Sequence, residues 1–338
     1  MNYMKKERLE EIVSAFPAGR IMVVGDIMLD EYVKGSVERI SPEAPIPVVN
    51  LHNGTFRDVR LGGAANVFNN IAALGNRNVL LCGVVGDDAD GALVRERITS
   101  AGADPCCLIT EPSRPTTIKT RIIAHNQQVI RLDREERSPI ARQSRQKVID
   151  YVKEKLSAVH ALVISDYEKG LITEPLLREI IASALRRGIV VAVDPKFSNF
   201  RHYKKVTIIV PNIKEARAFA RHELESPEDV LAAARYILKA LACEYVLIKK
   251  GEQGMTLVDR KGHAVSIPTA ALEVYDVTGA GDTVISSLVL AQSAGASWEE
   301  AARIANVAAG IAVSHLGTTT VELRELQNRI QNNRFSRL

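Results

Sequence analysis

Cysteine is scarce: 338 residues contain four, and no CxxC or Cys/His cluster has metal-ligand spacing. Cys106 and Cys107 are adjacent, while Cys82 and Cys243 sit in apolar stretches and read as core. A disulfide scaffold is thereby excluded. No apolar run reaches the ~18 residues of a membrane span. The first residues, MNYMKKERLEEIVSAF, are charged and amphipathic and lack the apolar stretch of a signal peptide. The expectation is a soluble cytoplasmic protein with no membrane partner. Excess charge is also lacking: 44 Lys+Arg against 40 Asp+Glu leave only +4, which speaks against a nucleic-acid partner. Neither GxxxxGK[ST] nor a GxGxxG after the first strand occurs, so a P-loop is not expected and a Rossmann oxidoreductase loses its main support.

What is present is a globular composition, 46% hydrophobic and 25% charged. Short apolar runs at 21–24, 79–85, 161–164, 189–193, 208–210 and 246–248 alternate with segments of helical period at 144–157, 174–187, 227–241 and 298–314. Runs that apolar read as strands buried on both faces, and the alternation predicts a doubly wound α/β fold. Two stretches break the pattern. Residues 31–61 contain Pro42, Pro45 and Pro47, which cannot lie in a central strand. Residues 115–133 are rich in β-formers and predict a hairpin turning near His125 and Asn126. Together they suggest a small sheet outside the main one, a lid. No repeat or linker divides the chain, so one domain over 1–338 is expected.

Ligands of open α/β sheets bind beyond the carboxyl ends of the strands. Asp26 and Asp30 follow the first strand; a carboxylate there accepts hydrogen bonds from sugar hydroxyls or caps a turn, and position leaves both open. Gly62 and Gly63 precede a helical segment over 66–74 and permit close backbone approach to a ligand. Asn212 and Glu215 form N-x-x-E after a strand, a spacing that suits either water-mediated Mg²⁺ or a helix cap. Lys119 and Arg121 share a face of the expected hairpin, with Arg131 on its second arm; clustered cations there suit a phosphate or carboxylate. Lys169 and Lys196 lie at other strand ends. The most informative stretch is Asp276-Val-Thr-Gly-Ala-Gly-Asp-Thr283, opening an apolar helix over 283–294. The amides of Gly279, Ala280 and Gly281 at a helix N-terminus make an anion hole for a phosphoryl group, and Asp282 is placed to take a proton from an attacking hydroxyl.

These two motifs, Gly62-Gly63-Ala64-Ala65-Asn66 and the one ending in Asp282, resemble those of the ribokinase-like (PfkB) carbohydrate kinases over roughly residues 20–325. The stretches 25–30, 39–45, 119–121, 127–128 and 165–170 resemble, within that family, the bacterial heptose 7-phosphate kinases; Leu61 and Glu168 depart from the pattern. The resemblance implies a three-layer α/β sandwich with a mostly parallel central sheet and a β lid. It also implies an ATP- and Mg²⁺-dependent transfer to the anomeric hydroxyl of D-glycero-β-D-manno-heptose 7-phosphate. Asp282 matches the general base, and Asp30, Gly63 and Asn66 match sugar-hydroxyl contacts. Asp166 lies in one of the matching stretches and is taken with the substrate site. Asn212 and Glu215 match a Mg²⁺–phosphate motif. Lys249, Gly251 and Gly254 lie where the ATP phosphates approach, and Asn306 lies near the adenine. Asp276 stands where some relatives hold a monovalent cation. Pairing of two chains through the lid is expected. The chain ends soon after residue 321, so a nucleotidyltransferase half is expected on a separate protein. Two alternatives stay open: another sugar or nucleoside kinase of this family, and a binding protein of this fold without catalysis.

Overall fold

The structure, a computed structural model, describes residues 6–51, 57–102, 104–125 and 127–332. Asn126 of the expected turn, 52–56 of the expected 31–61 insertion and the first five residues of the amphipathic N-terminus lie outside the described residues. In chain order the strands are β1 (Ile21–Gly25), β2 (Ile27–Ile40), β3 (Pro47–Asn50), β4 (Arg57–Gly63), β5 (Val79–Val85), β6 (Leu108–Thr110) and β7 (Thr117–Ala124). They continue as β8 (Gln127–Arg134), β9 (Ala161–Ser165), β10 (Val190–Asp194), β11 (Ile208–Ile209), β12 (Tyr245–Lys249), β13 (Met255–Asp259) and β14 (Ala264–Ile267). The helices are α1 (Lys6–Ser14), α2 (Ala64–Ala73), α3 (Ala89–Ser100), α4 (Arg142–Lys155), α5 (Glu174–Leu185), α6 (Ile213–Ala220), α7 (Pro227–Leu241), α8 (Ala280–Ser293), α9 (Trp298–Ala312) and α10 (Leu323–Asn332).

The six apolar runs, joined by β6, β13 and β14, which the sequence reading did not name, assemble one sheet in the order β14-β13-β12-β11-β10-β9-β1-β5-β6. From β12 to β6 its strands are parallel; β13 and β14 extend it antiparallel. Every residue of β1 and β9 is buried, which is why these runs carry no polar alternation. Side chains on the two faces join two apolar clusters: one under α1, α2, α8, α9 and α10, the other under α4, α5 and α7. The result is three layers, helix–sheet–helix. Among the described residues no helix is long and apolar enough to cross a membrane.

Parallel register also fixes where the polar residues gather. Gly25 and Asp194 both stand opposite Ser165, and a bridge sets Asn212 beside Lys249. The strand-end groups Asp26, Asp166, Asp194, Asn212 and Lys249 therefore share one edge.

The second sheet has the order β3-β2-β7-β8, with β4 also paired to β2. β2 starts directly after Asp26, inside the core, and runs outward until its last three residues are exposed. Pro42 and Pro45 lie in the connection between β2 and β3, closed by Ser41 N–H to Ile46 O at 2.8 Å, and Pro47 opens β3, where a missing N–H is tolerated. β7 pairs in parallel with β2 and antiparallel with β8.

Candidate active site

The centre of the site is the N-terminus of α8. Gly279 caps it with φ +81°, a left-handed conformation that suits glycine, and no side chain caps the helix. A Cβ at Gly279 would come within 2.8 Å of Thr318 Cγ2 and 3.0 Å of Asn66 Nδ2. The Ala280 N–H turns back to Val277 O (3.2 Å), so this amide is not part of an anion hole here; the N–H groups of Gly279 and Gly281 have no partner among the described residues. The expected trio of amides is thus reduced to two by a turn that the loop needs to enter the helix.

Asp282, one turn in, is buried. Its Oδ2 accepts from Asn66 Nδ2 at 2.7 Å and its Oδ1 from the Tyr167 hydroxyl at 2.8 Å. Burial, then the nearby Asp194 charge, push its carboxyl up to about 7; the bonds from Asn66 and Tyr167 and the charge of Lys249 hold it from rising further. A carboxylate tuned near neutrality and aimed by two donors is suited to general-base work. Asn66, expected to meet a sugar hydroxyl, here orients that carboxylate. Its own oxygen accepts from Asn70 Nδ2 at 3.2 Å, a contact between neighbouring turns of α2.

On one side of α8 lies a cavity of about 690 Å³. Asn212, Lys249, Gly251, Gly254, Ala280, Gly281 and Asn306 line it, with an apolar wall that includes Val277, Val284 and Val313. It is large enough for a nucleotide, with few polar groups on an apolar wall. Lys249 Nζ is held by Asp194 Oδ1 at 2.6 Å and stands 3.2 Å from where a Gly281 Cβ would be. The glycine thus leaves room for the ammonium beside the free amides. Asn306 donates to Pro268 O at 2.7 Å. Asn212 and Glu215 form a reciprocal helix cap on α6, and Glu215 Oε1 also accepts from Lys196 Nζ at 2.6 Å.

On the other side the second sheet presents Asp30, Lys119 and Arg121. Arg121 Nη1 donates to Asp30 Oδ1 at 2.6 Å, and its guanidinium lies 5.2 Å from the Tyr32 ring centroid. Gly62 is obligatory next to this pair, because a Cβ would lie 2.5 Å from Asp30 Oδ2; at Gly63 (φ +58°) it would lie 2.4 Å from Asp26 O. Lys119 Nζ and Lys196 Nζ stand 5.4 and 5.3 Å from one ring centroid, that of Tyr167. Burial lowers the Lys119 ammonium's pKa despite Asp30. For Lys196 burial works in the same direction, but Asp194 and Glu215 raise it overall.

A search of protein families identifies residues 18–325 as "pfkB family carbohydrate kinase". The chain belongs to the PfkB family of carbohydrate kinases. It is 44% identical over 323 residues to "Bifunctional protein HldE" of Geotalea uraniireducens, covering 96% of this chain and 65% of that protein. It is 46% identical to the protein of the same name from Citrifermentans bemidjiense, covering 96% and 66%. The chain therefore spans just under two thirds of the length of these relatives. Among solved structures, Arabidopsis thaliana ribokinase complexed with ribose and ATP superposes with a TM-score of 0.74 at 19% identity, covering 93% of this chain and 99% of that one. Escherichia coli phosphofructokinase-2 in complex with potassium gives 0.73 at 19%, covering 93% and 98%. The fold is ribokinase-like, and the PfkB chain is a phosphotransferase acting on a sugar hydroxyl.

Four further residues taken with the site on sequence also carry protein partners, as Arg121 and Lys196 do. Asp166 accepts from Glu168 N (2.8 Å), Asn199 Nδ2 (2.9 Å) and the Tyr203 hydroxyl, so it fastens loops rather than facing substrate. Burial, then Asp26, push it up to about 6. Lys169 is paired with Glu135 at 2.8 Å, and Arg131 with Asp133 at 2.8 Å on the exposed β8. Asp276 accepts from Thr278 N (2.9 Å), Thr278 Oγ1 (2.7 Å) and Gly317 N (2.9 Å), joining two loops. Conversely, sequence reading gave no role to Tyr167, Asp194, Tyr32 or Thr318. Tyr32 and Thr318 share a 2.8 Å hydroxyl contact that ties β2 to the loop beside Gly279. The signal for Asp194 was available, since it ends an apolar run. Tyr167 lay in the matching stretch 165–170 but carried no role of its own, and nothing local marks Tyr32 or Thr318.

Proposed function

We propose that this PfkB kinase transfers the γ-phosphoryl group of ATP to the anomeric 1-hydroxyl of D-glycero-β-D-manno-heptose 7-phosphate, giving the 1,7-bisphosphate. The observation that carries the reading is the arrangement around Tyr167: its hydroxyl is on the base Asp282, and two ammonium groups sit by its ring. A substrate that offers a hydroxyl at one end and a phosphate at the other matches that arrangement. The kinship with proteins named HldE and the heptose-kinase-like stretches support the sugar.

Asp282 accepts the proton as the sugar oxygen attacks. The Gly279 and Gly281 amides and Lys249 stabilise charge on the transferred group. Arg121 and Asp30 hold the sugar, Lys119 and Lys196 the distal phosphate, and the second sheet excludes water. Among the described residues no group of three or more His, Cys, Asp or Glu could hold a metal alone. Each oxygen of Glu215 carries one donor, so lone pairs remain for a magnesium-bound water. Mg²⁺, which keeps most of its waters and leans on phosphates, fits such a site and would neutralise phosphate charge there. At Asp276, Oδ1 accepts both donors of Thr278 and Oδ2 accepts Gly317 N alone, and no step is drawn through a monovalent cation there.

A cytoplasmic location belongs to the same proposal and is supported by the need for ATP as donor. We also propose that two chains pair through the second sheet, because Ile40, Ile46, Leu51, Ile130 and Leu132 of that sheet and its connections are all exposed. The test of function is a product assay with ATP, Mg²⁺ and a panel of sugars that includes ribose, fructose 6-phosphate and heptose 7-phosphate. Phosphorylation at the 1-position of the heptose phosphate is expected. Transfer only to ribose or fructose 6-phosphate would replace the heptose reading with another kinase of the family. No transfer to any sugar would favour a binding protein.

A further inference from the structure

We infer that Tyr167 is the positioning residue of this site: its hydroxyl holds Asp282 in the orientation that receives the proton, and its ring packs against Lys119 and Lys196, the cations proposed for the distal phosphate. The inference rests on the kinase reading above and deepens it.

The backbone that carries Tyr167 is fixed from several sides. Asp26, at the end of β1, accepts from the N–H groups of Tyr167 (2.8 Å), Lys169 (3.1 Å) and Leu171 (3.2 Å). Asp166 accepts from Glu168 N, and Glu168 adopts φ +55°, a left-handed value uncommon for a residue with a side chain. Glu168 Oε1 in turn accepts from Ser198 N at 3.0 Å. Two buried aspartates thus serve a loop whose one contact with the base is the Tyr167 hydroxyl. Such over-determined local structure is a common support for a functional side chain.

The hydroxyl's effect has a sign. It donates to Asp282 Oδ1, and a hydrogen bond to the charged form favours that form. Its removal makes Asp282 harder to ionise. The other charged groups facing Asp282 are Asp194 from β10 and Lys249 from β12; Asp30 faces Tyr167 from β2. None of these is altered when tyrosine becomes phenylalanine. The ring's effect is separate: Lys119 comes from the second sheet and Lys196 from the loop after β10, and each ammonium stands near the ring.

The experiment compares wild type, Tyr167→Phe and Tyr167→Leu with the sugar that wild type accepts best. In Tyr167→Phe the acid limb of the kcat–pH profile moves up by about one unit, the scale of one hydrogen bond to a carboxylate. Activity is then roughly fivefold low at pH 7 and nearly restored at pH 9. KM for the phosphosugar is unchanged in Tyr167→Phe and rises in Tyr167→Leu, with KM for ATP unchanged in both. A structural role alone would lower activity equally at all pH values, and that result overturns the inference. Carbonyl-labelled carbon-13 NMR of the Asp282 carboxyl, assigned by its loss in Asp282→Asn, reads the same upward shift in the free protein without turnover; coincident titrations in wild type and Tyr167→Phe also overturn it. If wild type prefers a sugar other than the heptose phosphate, the proposed substrate falls while the profile still judges Tyr167. Equal phosphosugar KM values in the Phe and Leu variants would remove the ring from the inference.

Discussion

Replacing Asp282 with asparagine keeps the shape of the side chain and removes the base, and it should make the protein both nearly inactive and more stable. Loss of a general base costs about 10²–10⁴ in rate. The stability gain follows from the site's electrostatics. Burial and Asp194 push the Asp282 carboxyl up to about 7, whereas an aspartate in the unfolded chain titrates near about 4. Below that lower value both states are protonated and nothing is lost. As pH rises, the unfolded chain ionises first, so stability falls until the folded carboxyl ionises too. At about 1.4 kcal/mol per unit, the penalty is about 1.5 kcal/mol at pH 5 and about 4 kcal/mol at pH 8. Asparagine carries no such penalty. Its amide oxygen can still accept from Asn66, and the Tyr167 hydroxyl can rotate to accept from its NH₂. The variant's advantage over wild type should therefore grow by about 2.5 kcal/mol between pH 5 and pH 8. Denaturant unfolding at the two pH values measures this, and phosphoryl transfer at pH 8 measures activity. Turnover close to wild type would remove Asp282 as the base. An advantage that does not grow with pH would show that the site does not destabilise the carboxylate, and the electrostatic account of the base would fail.

Arg121→Ala removes the partner of Asp30 and should raise KM for the phosphosugar by roughly tenfold or more while sparing KM for ATP; equal effects in steady-state kinetics would take Arg121 out of the sugar site. Gly281→Ala places a Cβ 3.2 Å from Lys249 Nζ. The flexible lysine can move, so folding survives, but KM for ATP should rise several-fold; an unchanged value would mean that Lys249 does not meet the phosphates. Glu215→Gln keeps a capping-box residue yet removes the charge beside Lys196. Unfolding should change by less than about 1 kcal/mol while the Mg²⁺ needed for half-maximal rate increases, and an unaltered Mg²⁺ dependence would leave Glu215 as a cap alone. The double change Ile130→Asp with Leu132→Asp should convert a dimer into a monomer by light scattering; a wild-type monomer, or a variant that stays dimeric, would refute pairing through the second sheet.

Six strands of the main sheet were readable because their apolar runs are buried, and the loop before α8 because two glycines and two aspartates cluster there; the short β6 and the antiparallel β13 and β14 were not. α3 was not readable, since ADGALVRERITS sets no apolar stripe along its length. Asn212 and Glu215 were readable as a pair but not as a role, because a capping box and a water-mediated metal contact share one spacing. Tyr167 shows the harder limit: its contact with Asp282 spans 115 residues of chain. The strand-end aspartates make the same point among themselves. Asp26, Asp166 and Asp194 each end an apolar run and look alike in sequence, yet the first two accept the amides of their own and neighbouring loops while the third holds Lys249 beside the cavity next to α8. The carboxyl edge of a parallel sheet locates the region of chemistry. Which carboxylate builds the loop and which faces the ligand is decided by the partners that the crossovers bring, and on the proposed mechanism the builders matter to the chemistry because the loop they hold carries the hydroxyl bonded to Asp282.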